Sequence, residues 1–213
     1  MLFQGSRLGH AQTMRTIEFR ATINPGALLT DIRDENGRSI LQPVLDLGGV
    51  INSVQCRANE NSLKGTLGSD SQRIYVDNPK AAFDGWTLSI SPASGKEAKW
   101  EGRGGYYFDY NDSGMDGCID DDNDGHAGLL RVNPSQAEVK SDCLECSNNE
   151  ISVGSLNEQS FGESDSITLL KASKSSDELG SWYLTGVEVN QSVPAGQEGD
   201  QYKLDLVLTA AAT

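Results

Sequence analysis

The chain has 213 residues, with 31 acidic and 17 basic side chains and a formal net charge of −14. A hydrophobic fraction of 37% against a charged fraction of 23% excludes a disordered acidic polymer, and the length is sufficient to bury a sizeable core. The anionic balance disfavours binding to nucleic-acid phosphates, and no apolar run reaches the roughly 18 to 20 residues that span a bilayer, so we expect no nucleic acid as partner and no membrane insertion.

The N-terminal residues resemble a leader left after removal of a purification tag. Met1 to Ser6 reads MLFQGS, which is similar to the cleavage sequence of a picornaviral protease. We therefore expect residues 1–12 to lie outside the fold and residues 13–213 to form one domain.

Short β-type segments follow one another along the rest of the chain, separated by clusters of Gly, Pro, Asn, Asp and Ser. In chain order, the pattern predicts strands at 16–23, 44–47, 73–76, 86–90, 105–110, 129–132, 167–170, 182–189 and 202–208. A helical turn or two is predicted only at 133–139, and a long polar loop at 147–166. The sequence therefore predicts an all-β antiparallel sandwich, immunoglobulin-like or jelly-roll-like, with long loops and little helix.

Four cysteines indicate export: Cys56, Cys118, Cys143 and Cys146. An even number in such a chain is typical of two structural disulfides in an exported protein, with free thiols as the alternative. A zinc site would need a second ligand pair, and a redox Cys-x-x-Cys site would need a βαβ context; the sequence favours neither. Of the three possible connectivities, we favour those that join Cys118 to Cys143 or Cys146.

The negative charge is concentrated in one segment. Seven aspartates lie between residues 109 and 124, with no Lys or Arg from 104 to 130, so this segment carries half of the net charge. Read from its first aspartate, the segment has oxygen side chains at positions 1, 3 and 5, a glycine at position 6 and a carboxylate at position 12. This is the pattern of a 12-residue calcium loop. The residues at these positions are Asp109, Asn111, Ser113, Gly114 and Asp120.

A second register begins at Asp120 and continues through Asp122 and Asp124, but its twelfth residue is Arg131. It does not close within itself, so a second ion would need further carboxylates such as Asp112, Asp116 or Asp121. We predict a Ca²⁺ site in an inserted loop at 109–125. Its candidate ligands are Asp109, Asn111, Asp112, Ser113, Asp116, Asp120, Asp122 and Asp124.

A solvated acidic loop is the alternative interpretation of this segment. Two carboxylates about 5 Å apart repel by roughly 3 kcal/mol at an effective dielectric near 20, so several held close together need a counter-ion. The predicted strands on both sides hold the ends of the segment, which favours a bound cation over a loop that spreads its charges.

The remaining features give little support for catalysis. Beyond the leader, which contains His10, the only histidine is His126, so a Ser/His/Asp or Cys/His site has little support and we expect no enzyme activity. Trp86 and Trp182 begin alternating strands and are predicted to lie in the core. Trp100 lies between two charged residues and is the tryptophan that we expect to be exposed, which makes it the candidate for contact with a ligand.

Two motifs resemble the WxL domains of bacterial cell surfaces. The stretch RIYVDNP at 73–79, followed by GWTLSI at 85–90, resembles the first motif of that family. The C-terminal VPAG at 193–196 and YKLDLVLT at 202–209 are similar to its closing segment, with Leu206 in place of the second Trp-x-Leu tryptophan. The stretch GTLGS at 65–69, combined with an Asp-rich loop, also resembles secreted β proteins of candidate-phyla bacteria.

The resemblance implies an extracellular β-sandwich held non-covalently at a bacterial cell surface, in contact with a cell-wall polymer or another surface glycan or protein. We expect a non-enzymatic exported protein that acts in envelope attachment, adhesion or surface assembly, including self-assembly, with Ca²⁺ in a structural role. The alternative is a calcium-dependent carbohydrate-binding module, in which the ion or Trp100 contacts sugar.

Overall fold

The structure is a computed structural model that describes residues 26–51, 53–56, 61–79, 85–144, 146–147, 149–173 and 179–213. The predicted leader and the strand predicted at 16–23 lie outside the described residues. No helix in the described part of the chain is both long and apolar enough to cross a membrane.

Fifteen β-strands and three single 3₁₀ turns account for the regular structure of the described residues. The strands are β1 Leu29–Arg33, β2 Ser62–Leu67, β3 Arg73–Asn78, β4 Trp86–Pro92, β5 Trp100–Gly102, β6 Tyr107–Phe108, β7 Leu129–Asn133, β8 Glu138–Ser141, β9 Ile151–Val153, β10 Gln159–Ser160, β11 Ile167–Ala172, β12 Gly180–Thr185, β13 Val187–Ser192, β14 Tyr202–Lys203 and β15 Leu206–Ala212. The 3₁₀ turns are Gly95–Glu97, Gly114–Asp116 and Pro134–Gln136.

These strands form four antiparallel sheets. Their orders are β1-β3-β12-β8, β10-β7-β13-β2, β15-β4-β11-β9 and β14-β5-β6, and all the pairings between these strands are antiparallel. The predicted all-β antiparallel sandwich is therefore confirmed.

The alternation of β4 places one row of apolar side chains in the core. Trp86, Leu88 and Ile90 are at most 2% exposed, whereas the residues between them are half-buried. Trp86 packs against Trp182 of β12 with ring centroids 5.7 Å apart, so both tryptophans lie in the core as predicted. Burial of each large apolar side chain contributes roughly 1.5 to 3 kcal/mol.

The prediction of a strand at 44–47 is wrong, because these residues form no strand in the structure. The backbone N–H of Val44 donates to Oε1 of Gln72 at 3.2 Å, and its carbonyl accepts from Nε2 of the same side chain at 3.1 Å. A side-chain amide thus takes the place of a neighbouring strand, while Leu45 and Leu47 still pack against the core.

Two long predicted segments are divided differently in the structure. The strand predicted at 182–189 is interrupted by Gly186, whose φ of 84° turns the chain from β12 in one sheet to β13 in another. The segment predicted as a loop at 147–166 contains the short strands β9 and β10. The helical turn predicted at 133–139 is reduced to the 3₁₀ turn Pro134–Gln136.

Candidate metal centre

The first part of the acidic loop is held against the beginning of β7. The backbone N–H of Asp109 donates to the carbonyl of Ala127, and that of Asp112 donates to the carbonyl of Gly128, both at 2.9 Å. Gly128 has a φ of 146°, and a Cβ at this position would lie 2.1 Å from the carbonyl oxygen of Asp109. The close approach of these two backbone segments therefore requires glycine at position 128. The contact holds residues 109–112, the first part of the loop, against residues 127–128.

A disulfide and a buried glutamine add further anchors. Cys118, within the loop, is bonded to Cys56 with the two Cα atoms 5.6 Å apart. Gln191, which is fully buried on β13, donates from Nε2 to the carbonyl of Asp109 at 3.1 Å. The loop is thus covalently tied to one distant segment and hydrogen-bonded to a core strand.

The prediction of two disulfides is confirmed, but the favoured connectivity is wrong. Cys143 and Cys146 are bonded to each other, with Cα atoms 5.3 Å apart. The sulfur of Cys146 lies beside the start of β12, 3.8 Å from the carbonyl of Leu179, whereas Cys118 is held in the acidic loop. The short Cys143–Cys146 separation lets a turn close that bridge locally, which leaves Cys118 to pair with Cys56.

Five carboxylates converge in two overlapping groups. In the first group, one oxygen from each of Asp109, Asp122 and Asp124 lies within 4.8 Å of the others. In the second group, the same holds for Asp112, Asp120 and Asp122. Asp122 belongs to both groups, and all five residues are among the predicted ligands.

The two residues that head these groups are buried. Asp109 is 1% exposed and Asp112 is 0% exposed. Oδ1 of Asp112 accepts the backbone N–H of Asp121 at 2.8 Å, but Oδ2 is buried and has no hydrogen-bond partner. A buried carboxylate oxygen without a partner is costly, and a bound cation would remove that cost.

Asn111, a further predicted ligand, lies beside the first group. The end of its side chain lies against both carboxylate oxygens of Asp109 and, at 3.5 Å, against Oδ2 of Asp122. With its amide nitrogen towards Asp109, Asn111 donates a hydrogen bond. This orientation gives both side chains a hydrogen-bond partner.

Burial raises the pKa of both inner carboxyls to about 7. For Asp109, desolvation is the main cause and the charges of Asp124 and Asp122 add to it. For Asp112, desolvation is again the main cause, with further contributions from Asp121 and Asp109. Without a cation, the site therefore retains protons close to neutral pH.

The outer carboxylates are oriented by the backbone of the loop. Asp120 accepts the N–H groups of Asn123 and Gly125 at 2.7 and 2.8 Å, and Asp122 accepts that of Asp124 at 3.1 Å. A carboxylate offers about four lone-pair positions, so these bonds leave room for an ion. The backbone of the second register is thus held by hydrogen bonds to its own aspartate side chains, although its twelfth residue is not acidic.

Two predicted ligands are engaged elsewhere. The hydroxyl of Ser113 donates to Oδ2 of Asp121 at 2.9 Å, so position 5 of the first register is hydrogen-bonded to a carboxylate that lies outside both groups. Asp116 forms an ion pair with Arg131 at 2.9 Å and also lies outside both groups.

Trp100 is half-buried, which contradicts the expectation that it is exposed. Its ring stacks on Phe108 with centroids 5.5 Å apart and planes 9° apart, and its Nε1–H donates to Oε1 of Gln191 at 2.8 Å. Since Gln191 also bonds the Asp109 carbonyl, Trp100 supports the backbone of the candidate site.

Sequence reasoning missed Gln191 and Lys99. The signal for Gln191 is a polar residue in phase with the inward-facing Val187 and Val189 of β13. Lys99 forms an ion pair with Asp124 at 2.5 Å and supplies a positive charge to the first group. No local pattern marks Lys99, because it lies 25 positions before its partner.

Comparison of this chain with models of protein families, with curated proteins and with solved structures found no match. The resemblance to WxL domains therefore rests on the short sequence motifs themselves. In the fold, the first motif forms β3 and β4, and its tryptophan, Trp86, is a core residue.

Proposed function

We propose that this protein is a non-enzymatic, exported cell-surface protein whose acidic loop binds Ca²⁺ as a structural ion. The observation that carries the proposal is the burial of Asp109 and Asp112 beside further carboxylates, with Oδ2 of Asp112 left without a partner. Desolvated carboxylates held this close together are stable only when protonated or when paired with a cation.

The chemistry of the ligand set favours calcium. Carboxylate and amide oxygens suit Mg²⁺, Ca²⁺ and Mn²⁺ rather than zinc or copper. Calcium takes six to eight oxygens in a flexible geometry, which suits an irregular loop rich in aspartate. Extracellular calcium is abundant enough to fill a site of modest affinity.

The two disulfides support a location outside the cytoplasm, since such bonds persist in oxidising compartments. The cell-surface role rests on the sequence resemblance. Within the proposal, the sandwich contacts a cell-wall polymer, another surface glycan or protein, or further copies of itself, and thereby acts in attachment, adhesion or surface assembly.

The surroundings of Trp100 and His126 favour the structural role over a carbohydrate-binding module and over an enzyme. Trp100 uses its N–H for Gln191 and one ring face for Phe108, so a carbohydrate-binding role would rest on the ion. His126, the histidine that a hydrolytic site would use, packs edge-on against Tyr107 with centroids 6.0 Å apart.

Calorimetric titration of the chelator-treated protein with CaCl₂ tests the calcium proposal. We expect saturable binding and a rise in melting temperature, both weakened in Asp112→Asn and both unchanged in Asp165→Asn, which changes an exposed aspartate paired with Lys96. If neither quantity changes in the unsubstituted protein, the proposal is wrong.

A separate measurement tests the surface role. Sedimentation with purified cell-wall sacculi should remove the protein from solution, while soluble glycans should not bind it. Binding to soluble glycans but not to sacculi would favour the carbohydrate-binding module instead. Concentration-dependent light scattering in the absence of sacculi would identify self-assembly.

A further inference from the structure

We propose that the acidic loop holds two calcium ions that share Asp122 as a bridging ligand, an inference that rests on the proposed calcium-binding function. The first ion would lie among Asp109, Asp122 and Asp124, and the second among Asp112, Asp120 and Asp122.

The spacing of the oxygens fits this arrangement. Calcium–oxygen bonds are about 2.3 to 2.6 Å long, so two ligands on opposite sides of an ion lie about 4.6 to 5.2 Å apart. The candidate oxygens of each group lie within 4.8 Å of one another. Each trio can therefore surround one ion, and a carboxylate with two oxygens can serve an ion on either side.

Each group contains its own buried acid. Asp109 is 1% exposed in the first group, and Asp112 is 0% exposed in the second. The unpartnered Oδ2 of Asp112 is an independent indication of a ligand in the second group. A single ion in either group would leave the buried carboxylate of the other group without a cation of its own.

The charges of the site also balance with two ions. The five carboxylates of the two groups carry −5 when ionised, and the Lys99 ion pair with Asp124 reduces this to −4. Two divalent cations bring the site to zero, whereas one leaves −2 in a partly buried space. Residual charge of that kind is costly because buried ions are poorly solvated.

The two other acids of the loop do not enter this sum. Asp116 is paired with Arg131. Asp121 accepts the backbone N–H groups of Ser113 and Gly114 at 3.0 and 2.8 Å, in addition to the Ser113 hydroxyl. Their negative charges are already stabilised by the protein, which limits the carboxylate ligands of the proposal to the two carboxylate groups.

Native mass spectrometry of the whole chain in CaCl₂ gives the stoichiometry directly. We expect two ions on the unsubstituted protein, one on Asp120→Asn and one on Asp124→Asn. In Asp122→Asn we expect both affinities to fall at least tenfold. Asp116→Asn is the matched control, because like Asp124→Asn it removes one carboxylate and one ion pair from the loop, and it should keep two ions.

The possible outcomes separate the two proposals. One ion on the unsubstituted protein would overturn the two-ion centre and keep the calcium site, whereas no ion would overturn both. Loss of both ions in Asp120→Asn and in Asp124→Asn, with near-ultraviolet circular dichroism unchanged, would show that the two groups do not bind one ion each and would also overturn the two-ion centre as proposed. The count on the unsubstituted protein needs no variant to fold.

Discussion

Removal of calcium should make the stability of this protein fall as the pH rises. The folded-state pKa values of Asp109 and Asp112 are raised to about 7 from 3.8. Between these values the folded protein binds more protons than the unfolded chain does. The free energy of unfolding therefore decreases with pH across this window, and the loss is complete above about pH 7.

The size of this effect follows from the pKa values. A rise from 3.8 to about 7 disfavours the ionised form by about 4 kcal/mol, since a tenfold change in proton affinity is worth about 1.4 kcal/mol. Part of the shift in Asp112 comes from the charge of Asp109, so the two contributions overlap and we expect a total nearer to one of them than to two. For a chain of this length, a loss of about 4 kcal/mol lowers the melting temperature by about 8 to 16 °C.

Two other acids affect the free energy of unfolding in a different pH range. Backbone N–H groups of Arg38 and Gly104 donate to Asp34 and Asp200 and lower the pKa of each carboxyl below 3.8. The stability that these bonds add is present above that pH and is lost below it. Their contribution is therefore constant between pH 4 and 7, and the slope in this window reports on the buried pair.

Thermal unfolding in chelator at pH 4.5, 6 and 8, repeated in millimolar CaCl₂, measures the effect. We expect a falling melting temperature in chelator and little change with pH in calcium. Asp112→Asn should raise the melting temperature in chelator at pH 8, because it removes a buried charge, and should also reduce the calcium effect. Asp165→Asn should change neither curve. A melting temperature in chelator that is constant or rises from pH 4.5 to 8 would refute the reasoning.

Three further substitutions test the framework of the site. Gly128→Ala places a Cβ 2.1 Å from a backbone oxygen of the loop. We therefore expect the unfolding free energy to fall by about 2 to 3 kcal/mol and calcium to bind more weakly by calorimetry. Gly49→Ala is the control, because its Cβ would meet no atom within 4 Å, and it should change neither quantity. Replacement of both Cys56 and Cys118 by serine removes the disulfide that closes a 62-residue loop of the unfolded chain. We expect the unfolding free energy measured by chemical denaturation to fall by about 4 kcal/mol, against about 1.6 kcal/mol for removal of the Cys143–Cys146 disulfide, which spans three residues. Equal losses for the two disulfides would contradict this. Trp100→Ala should destabilise the fold by about 3 kcal/mol, and a loss of sugar binding without destabilisation would contradict its assignment as a framework residue.

Much of the fold was predictable because apolar alternation is a local signal. The inward row of β4, from Trp86 to Ile90, was read from period-2 spacing alone. One exception arises from a contact with a residue distant in the sequence, and another from a glycine inside a predicted strand. Val44 lacks a neighbouring strand because Gln72 occupies its hydrogen-bonding groups, and Gly186 moves the chain into a second sheet. The Gln72 contact leaves no mark in the local pattern, whereas Gly186 is a local signal, because a glycine inside an alternating run indicates a break in a strand.

The candidate site was predictable in composition but not in arrangement. A linear 12-residue register assigns Asp109 and Ser113 to one ion, but the structure joins Asp109 with Asp122 and Asp124 of the second register. The loop doubles back because residues 109–112 are hydrogen-bonded to residues 127–130. Linear spacing does not contain that pairing, which depends on the steric requirement for Gly128.

The constraints on the loop are those that a cation-binding site needs and a solvated loop does not. A free acidic segment lowers its energy by moving its carboxylates apart, since repulsion falls with distance. Here, the Cys118–Cys56 disulfide, the Gln191 bond and the close contact at Gly128 oppose that expansion. Because repulsion is then already present in the folded state, a cation gains attraction to several preorganised carboxylates while the loop loses little conformational entropy. We therefore expect calcium affinity to fall when any of these three constraints is removed, even though none of them contributes a metal ligand.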